Sequence, residues 1–190
     1  AVMDDAELLR FLKGRQGLLD GVAITGGEPL LRKDLPELLK AIRDLGFAVK
    51  VDTNGNHPDA LEGLLRERLV DYVAMDIKNG PNHYAATVGL EKFDITRIEE
   101  SIRILTGGQT AYEFRTTVAD ELHDPQGFKE IGQWLEALSG KKAERFFIQP
   151  YVDRDSVLMG GLHSPTAEKL TAMADAVKPF VKAVSIRAMD

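Results

Sequence analysis

Short apolar runs alternate with amphipathic stretches of helical period from one end of the chain to the other, and this alternation restricts the fold more than any other feature. "GVAIT", "FAVKVDTN", "VDYVAMDIK", "AYEFRTTV", "ERFFIQPY" and "AVSIR" read as strands. They are near-continuously apolar, as strands buried on both faces are. Between them lie "KDLPELLKAIRDLG", "HPDALEGLLRERL", "ITRIEESIRIL", "DPQGFKEIGQWLEAL" and "SPTAEKLTAMADAVKPF", each with one apolar face. Leu35, Leu38, Leu39, Ile42 and Leu45 show the spacing most clearly. The helix boundaries carry their own signals: Pro58 in a first turn, Gly46 and Gly107-Gly108 at C-termini, and Ser164 as an N-cap before a proline. Repeated strand–helix units of this kind predict an α/β fold with a parallel sheet.

One element breaks the pattern. "DDAELLRFLKGR" is a helix, with Asp4 or Asp5 able to cap it, and no strand precedes it. The chain's 190 residues suit one domain, 1–190, and no shift in composition marks a second. The stretch from Val152 to His163 is the longest irregular segment, of a kind that often covers a site.

Composition excludes several functions. The net charge of −6 and the lack of a basic block argue against a nucleic-acid partner. No apolar run approaches the ~18 residues of a membrane span, and the first residues do not form an export signal, so no membrane association and a cytoplasmic location are expected. Cysteine is absent, which leaves no disulfide, thiolate nucleophile or zinc–thiolate site within these residues. His57, His83, His123 and His163 fall in loops or helix starts and are expected to be solvated; the five methionines are scattered.

Sites of parallel βα proteins lie at the carboxyl ends of the strands. Polar groups gather there: Gly26, Gly27 and Glu28 after the first strand, Asp52, Thr53 and Asn54 after the second, Asp76 and Lys78 after the third. Arg115 and Thr117 lie within the fourth, and Gln149 and Tyr151 end the fifth. Each has an ordinary structural reading, as a turn, an Asx cap, an ion pair or a surface arginine. Together they describe a pocket for a zwitterion. Bare glycines expose backbone groups, Glu28 can accept from an ammonium, and Lys78 and Arg115 can face a carboxylate. Asp52 and Asp76 could order a ribose or hold a cation.

The ordered set "LLDGVAITGGEPLL", "VDTNGNHP", "AMDIK", "HYAATVG", "YEFRTTV" and "IGQWL" resembles the radical SAM superfamily. Within it, the set is most similar to activating proteins of anaerobic ribonucleoside-triphosphate reductase, close relatives of the pyruvate formate-lyase activating enzymes. The resemblance implies an incomplete (βα)6-type partial TIM barrel. It implies that Gly26, Gly27 and Glu28 hold the methionine amine of S-adenosylmethionine, that Asp52, Thr53 and Asp76 lie near the cofactor and a monovalent cation, and that Lys78 meets its carboxylate. Arg115 and Thr117 would line the same ligand. In the family a [4Fe–4S] cluster, held by three cysteines, cleaves the cofactor to methionine and a 5′-deoxyadenosyl radical, which takes hydrogen from a glycine of a glycyl radical enzyme. This chain has no such cysteines. With the orphan helix, that implies a fragment whose first strand is missing, itself inactive, with an open edge beside "GVAIT" that favours self-pairing. The pattern also departs at Pro150-Tyr151-Val152, where the family has Pro-Tyr-His. Other readings of the same residues are another radical SAM enzyme of the carboxy-deazaguanine synthase or peptide maturase type, a cluster-free barrel acting through a Schiff base at Lys78 or a metal at Asp52 and Asp76, and a binding module without catalysis.

Overall fold

Asp4 sets the start of the first helix. In the computed structural model, which describes residues 3–152 and 160–187, α1 runs Asp5–Lys13. The Asp4 carboxylate accepts from the Glu7 N–H at 2.7 Å, and the Glu7 carboxylate from the Asp4 N–H at 3.1 Å. This reciprocal pair satisfies two of the helix's free N-terminal donors. There follow β1 (Gly21–Ile24), a 3-10 turn (Pro29–Leu31), α2 (Leu35–Asp44), β2 (Ala48–Thr53), α3 (Pro58–Arg66) and β3 (Tyr72–Asp76). A short α4 (Tyr84–Thr87) and α5 (Thr96–Gly107) lead to β4 (Ala111–Val118), then α6 (Pro125–Ser139), β5 (Ala143–Pro150), α7 (Ala167–Val177) and β6 (Val181–Ile186). Neither the 3-10 turn nor α4 is signalled by the sequence pattern.

All five strand pairings are parallel, and the order in the sheet is β1-β2-β3-β4-β5-β6. Each helix therefore returns the chain to the next position in one direction, and the sheet stays open with β1 and β6 at its edges. The α/β architecture with a parallel sheet agrees with the reading of the sequence. Helices pack on one face. There Val49, Val51, Val73, Met75, Phe114, Phe146 and Ile148 are buried against residues such as Leu39, Ile42, Ile102 and Phe128 in one apolar cluster. Each such side chain contributes about 1.5–3 kcal/mol by leaving water.

Side chains alternate along a strand, so the other face is set by parity. Lys50 and Asp52 of β2, Tyr72, Ala74 and Asp76 of β3, Glu113, Arg115 and Thr117 of β4, and Arg145, Phe147 and Gln149 of β5 all point to it. The register places Asp52 beside Ala74, Asp76 beside Arg115, Arg115 beside Phe147 and Thr117 beside Gln149. Ala74 and Glu113 are nonetheless buried, at 0% and 4% exposure. The curl of the sheet and the long side chains lying across it cover them, without a helix.

Two expectations need correcting. Ser164 does not cap α7; Thr166 does, with its hydroxyl accepting from the Lys169 N–H at 3.2 Å. Thr166 holds extended backbone immediately before the first helical residue, and Ser164 lies two positions too early. His123 is not solvated: it is 5% exposed, and both ring nitrogens have backbone partners. Of the Val152–His163 segment, residues 153–159 lie outside the described residues, as do Ala1, Val2 and residues 188–190 with Met189. Among the described residues no helix is long and apolar enough to cross a membrane.

Candidate functional site

The turn after β1 puts Glu28 at the N-cap of the 3-10 turn, where its carboxylate accepts from the Leu30 N–H at 3.1 Å. It also reaches across to the end of β2. The Thr53 hydroxyl donates to Oε1 at 2.8 Å and the Asn54 N–H to Oε2 at 2.7 Å. Thr53 Oγ1 in turn accepts from the Gly55 N–H at 3.1 Å, and Asn54 accepts from the Asn56 N–H at 2.9 Å. Gly55 sits at φ 77°, and a Cβ there would lie 2.1 Å from the Met75 methyl. Only glycine allows this turn to close over β3. Glu28 thus locks two strand ends together. Its two oxygens offer about four acceptor positions, and three are used.

Gly26 and Gly27 differ in why they are bare. Gly26 has φ 130°, a conformation that other residues rarely adopt, whereas Gly27 has no such constraint. At both positions a Cβ would meet nothing within 4 Å. The fold leaves room above this backbone that its own packing does not use.

On the helix-free face a chain of alternating charges crosses three strands. Lys50 pairs with Asp52 Oδ1; Arg115 donates to Asp52 Oδ2 at 2.9 Å and to Asp76 Oδ1 at 2.5 Å; Lys78 pairs with Asp76 Oδ2 at 2.8 Å. Burial alone would raise the Asp52 pKa, but the hydrogen bonds from Lys50 and Arg115 outweigh it and hold the acid below the ordinary carboxylate range. Burial would likewise lower the Arg115 pKa, and Asp76 and Asp52 reverse that, so the guanidinium stays charged. Both carboxylates already pair both oxygens with side-chain cations, whose positive charge opposes a metal ion here. Among the described residues no group of three or more acids and histidines is placed to hold a metal.

The Lys78 peptide is clamped by His123: its carbonyl accepts from Nε2 at 2.8 Å, and the buried Tyr84 lines the cleft beside it. The Lys78 carbonyl can only accept, which puts a proton on Nε2, while Nδ1 lies 3.2 Å from both the N–H and the carbonyl of Ala119. Beside Lys78 opens a cleft of about 200 Å³, lined by Asn54, Asn56, Tyr84, Val88 and Phe93.

The structure therefore brings Glu28 and Thr53 together, and Asp52, Asp76, Lys78 and Arg115 together in a second group that begins one residue before Thr53. Thr117 is exposed, two residues beyond Arg115 on the same face. Reading the sequence missed Lys50, His123 and a further cluster, in which the Tyr72 hydroxyl donates to Glu113 Oε2 at 2.9 Å and Arg187 reaches Glu113 Oε1 at 2.5 Å. The alternation of Glu113, Arg115 and Thr117 with Tyr112, Phe114 and Thr116 was the available signal.

Comparison with known proteins bears on the family and the fold. The chain is 28% identical over 177 residues, 90% of its length and 72% of the relative's, to a Methanocaldococcus jannaschii protein provisionally named a glycyl-radical enzyme activating enzyme. It is 37% identical over 84 residues, 42% of its length and 32% of the relative's, to a 7-carboxy-7-deazaguanine synthase of Methanopyrus kandleri. A domain of pyruvate-formate lyase-activating enzyme from Bacteroides vulgatus superposes with a TM-score of 0.69 at 19% identity, covering 88% of this chain and 99% of that one. Streptococcus suis SuiB bound to S-adenosylmethionine superposes with a TM-score of 0.76 at 12% identity, covering 99% and 44%. The two structural likenesses bear on the fold alone. The profile of the Radical SAM superfamily matches residues 3–110, more than half of the chain, and the protein belongs to that superfamily.

Proposed function

We propose that these residues form the S-adenosylmethionine-binding part of a glycyl-radical enzyme activating enzyme, whose target is an anaerobic ribonucleoside-triphosphate reductase and which works in the cytoplasm. The observation that carries the reading is the pairing of unused space over Gly26-Gly27 with a fixed acid and a fixed line of cations from neighbouring strand ends.

Superfamily membership implies both S-adenosylmethionine and an iron–sulfur cluster. The donors fit the first and not the second. The 190 residues contain no cysteine, so none of them supplies a thiolate to iron. For S-adenosylmethionine, Glu28 keeps one acceptor position for an ammonium, and the backbone of Gly26 and Gly27 can lie against it without a side chain between. Lys78, held at the cleft by its clamped peptide, supplies a cation for a carboxylate. Asp52 and Thr53 present the next strand end, and Asp76 with Arg115 fixes the orientation of Lys78. Thr117 extends the same wall. When bound, the cofactor is the source of the 5′-deoxyadenosyl group; the residues here bind and orient it.

The test uses the protein from its full reading frame, reconstituted anaerobically with iron and sulfide. 5′-Deoxyadenosine should form on reduction, and Glu28→Ala and Lys78→Ala should each lower it at least tenfold. Survival of product in both variants would overturn the placement. Glycyl radical formation on the purified reductase, read by electron paramagnetic resonance, tests the target. The likeness to a 7-carboxy-7-deazaguanine synthase favours a second reading, in which the reaction involves a small molecule of the 7-carboxy-7-deazaguanine class. Turnover of such a compound without any protein target would support it.

A further inference from the structure

Below the line of charges that serves the proposed cofactor site, the helix-free face carries a second polar cluster with a surplus of positive charge. Its centre is Glu113, a carboxylate whose side chain is 5% exposed. Both of its oxygens are taken, one by Arg187 and one by the Tyr72 hydroxyl. Arg187 leaves the end of edge strand β6 and runs back across the sheet. Its guanidinium lies 4.6 Å over the Phe147 ring and also donates to Gln149 at 3.2 Å. Two partners and an aromatic floor fix the plane of this group, yet its side chain is still 34% exposed. A guanidinium has five N–H donors, and Arg187 uses two of them in these bonds. Arg145 precedes Phe146 as Glu113 precedes Phe114, the register partner of Phe146, so the two lie on neighbouring strands on the same face; Arg145 is exposed and forms no salt bridge among the described residues.

This face and the strand ends beside it hold five cations, Lys50, Lys78, Arg115, Arg145 and Arg187, against three carboxylates, Asp52, Asp76 and Glu113. In a chain of net charge −6 this face is positive by two. Half of that excess lies in the line above, where three cations meet two carboxylates, and half at the Arg145–Arg187 end, where two arginines face Glu113 alone; of the five cations, only Arg145 has no salt bridge among the described residues. Opposite charges attract more strongly beside a half-covered group than in open water, so an anion has a reason to settle against Arg187. The planar fork of an arginine matches a carboxylate better than it matches a spherical ion. The neighbouring edge positions Ala183 and Ser185 of β6 are small and exposed, which leaves the face open from the side to an extended chain.

We propose that Arg145 and Arg187 form a docking site for a carboxylate side chain of the polypeptide that the enzyme acts on, holding that polypeptide along the helix-free face beneath the cofactor. The identity of the occupant as a polypeptide rests on the function proposed above; the anion site itself does not.

The test is a nuclear magnetic resonance titration of the cofactor-free chain, following the arginine Nε–H signals. The probes are N-acetyl-glycyl-aspartyl amide, the matching asparaginyl amide, and inorganic phosphate. The aspartyl peptide should shift the Arg145 and Arg187 signals with a millimolar Kd, at least tenfold tighter than the asparaginyl peptide and tighter than phosphate. Arg145→Gln, which breaks no salt bridge and so spares the fold, should weaken the aspartyl peptide at least fivefold; Arg187→Gln should do the same. Equal binding of the two peptides, or shifts confined to Arg115, would overturn the site. Binding of phosphate as tight as the aspartyl peptide would overturn the assignment to a polypeptide carboxylate. Loss of 5′-deoxyadenosine formation in the reconstituted enzyme would count against the proposed function and leave this result standing.

Discussion

Thr53 donates its hydroxyl proton to Glu28 at 2.8 Å, joining the ends of two strands through side chains 25 residues apart. Thr53 is 3% exposed, so water cannot replace it. Thr53→Val keeps the shape and removes the hydroxyl, leaving Glu28 short of a donor and the Gly55 N–H without its acceptor. The cost should be about 1.5–3 kcal/mol, since a bond to a charged group is broken and its partner stays partly buried. Urea unfolding measures it, and Thr53→Ser should recover most of the loss. An unchanged midpoint for the valine variant would mean that the bond contributes nothing.

Arg115 is the shared partner of two acids, and its side chain is 16% exposed. Arg115→Met should destabilise the chain by roughly 2–4 kcal/mol, somewhat less than the loss of one partner from a fully buried pair, because Lys50 and Lys78 remain. The Asp52 pKa should rise in the variant. In the native chain Asp52 is depressed below 3.8; its contribution to stability is therefore complete above that pH and is lost as the pH falls through the lower native value. Carboxyl carbon resonances followed through a pH titration would show the rise, and a fixed Asp52 titration would contradict the role given to Arg115.

His123 carries the opposite proton logic. Burial pushes its imidazole below 6.5, against its own hydrogen bonds to the backbone of Lys78 and Ala119. Above about pH 6.5 the group is neutral whether folded or not. Below it the unfolded chain takes up a proton first, and stability falls, by at most about 1.4 kcal/mol per pH unit, until the native group is protonated too. In His123→Gln the side-chain amide can still donate to the Lys78 carbonyl, and this part of the slope should vanish. Unfolding midpoints at pH 8, 7, 6 and 5 for both proteins decide the matter; parallel slopes would refute it.

Gly26 and Gly27 separate backbone need from ligand space. Gly26→Ala should cost about 1–2 kcal/mol, because alanine resists a φ of 130°. Gly27→Ala should change stability by less than about 0.5 kcal/mol, its Cβ entering open space. It should nevertheless weaken S-adenosylmethionine binding at least tenfold in calorimetry. Full affinity in that variant would remove the ligand from this backbone.

The strands were readable because the face packed under the helices calls for an apolar residue at every second position; the expected burial of both faces does not hold, since the other face of most strands is half-exposed. "AYEFRTTV" coincides with β4 at both ends. The strand-end residues were readable because turns demand glycine and asparagine, which stand out from such runs. His123 was not, since "HDP" has the composition of a surface loop and nothing local signals that the loop folds back onto Lys78. Glu113 and Arg187 lie 74 positions apart and meet only through the register of three strands, which no short window contains. The capping of α7 was misread because Ser164, Pro165 and Thr166 offer two hydroxyls, and the choice between them depends on where the backbone turns.

Neighbours along the chain are neighbours in the sheet throughout. Each wall of the cavity mouth is thus contributed by its own strand–loop–helix cassette, and no cassette is threaded between two others. One loop can be exchanged or lengthened without re-routing the remainder, so such a scaffold can acquire a new substrate wall while the opposite wall stays as it was.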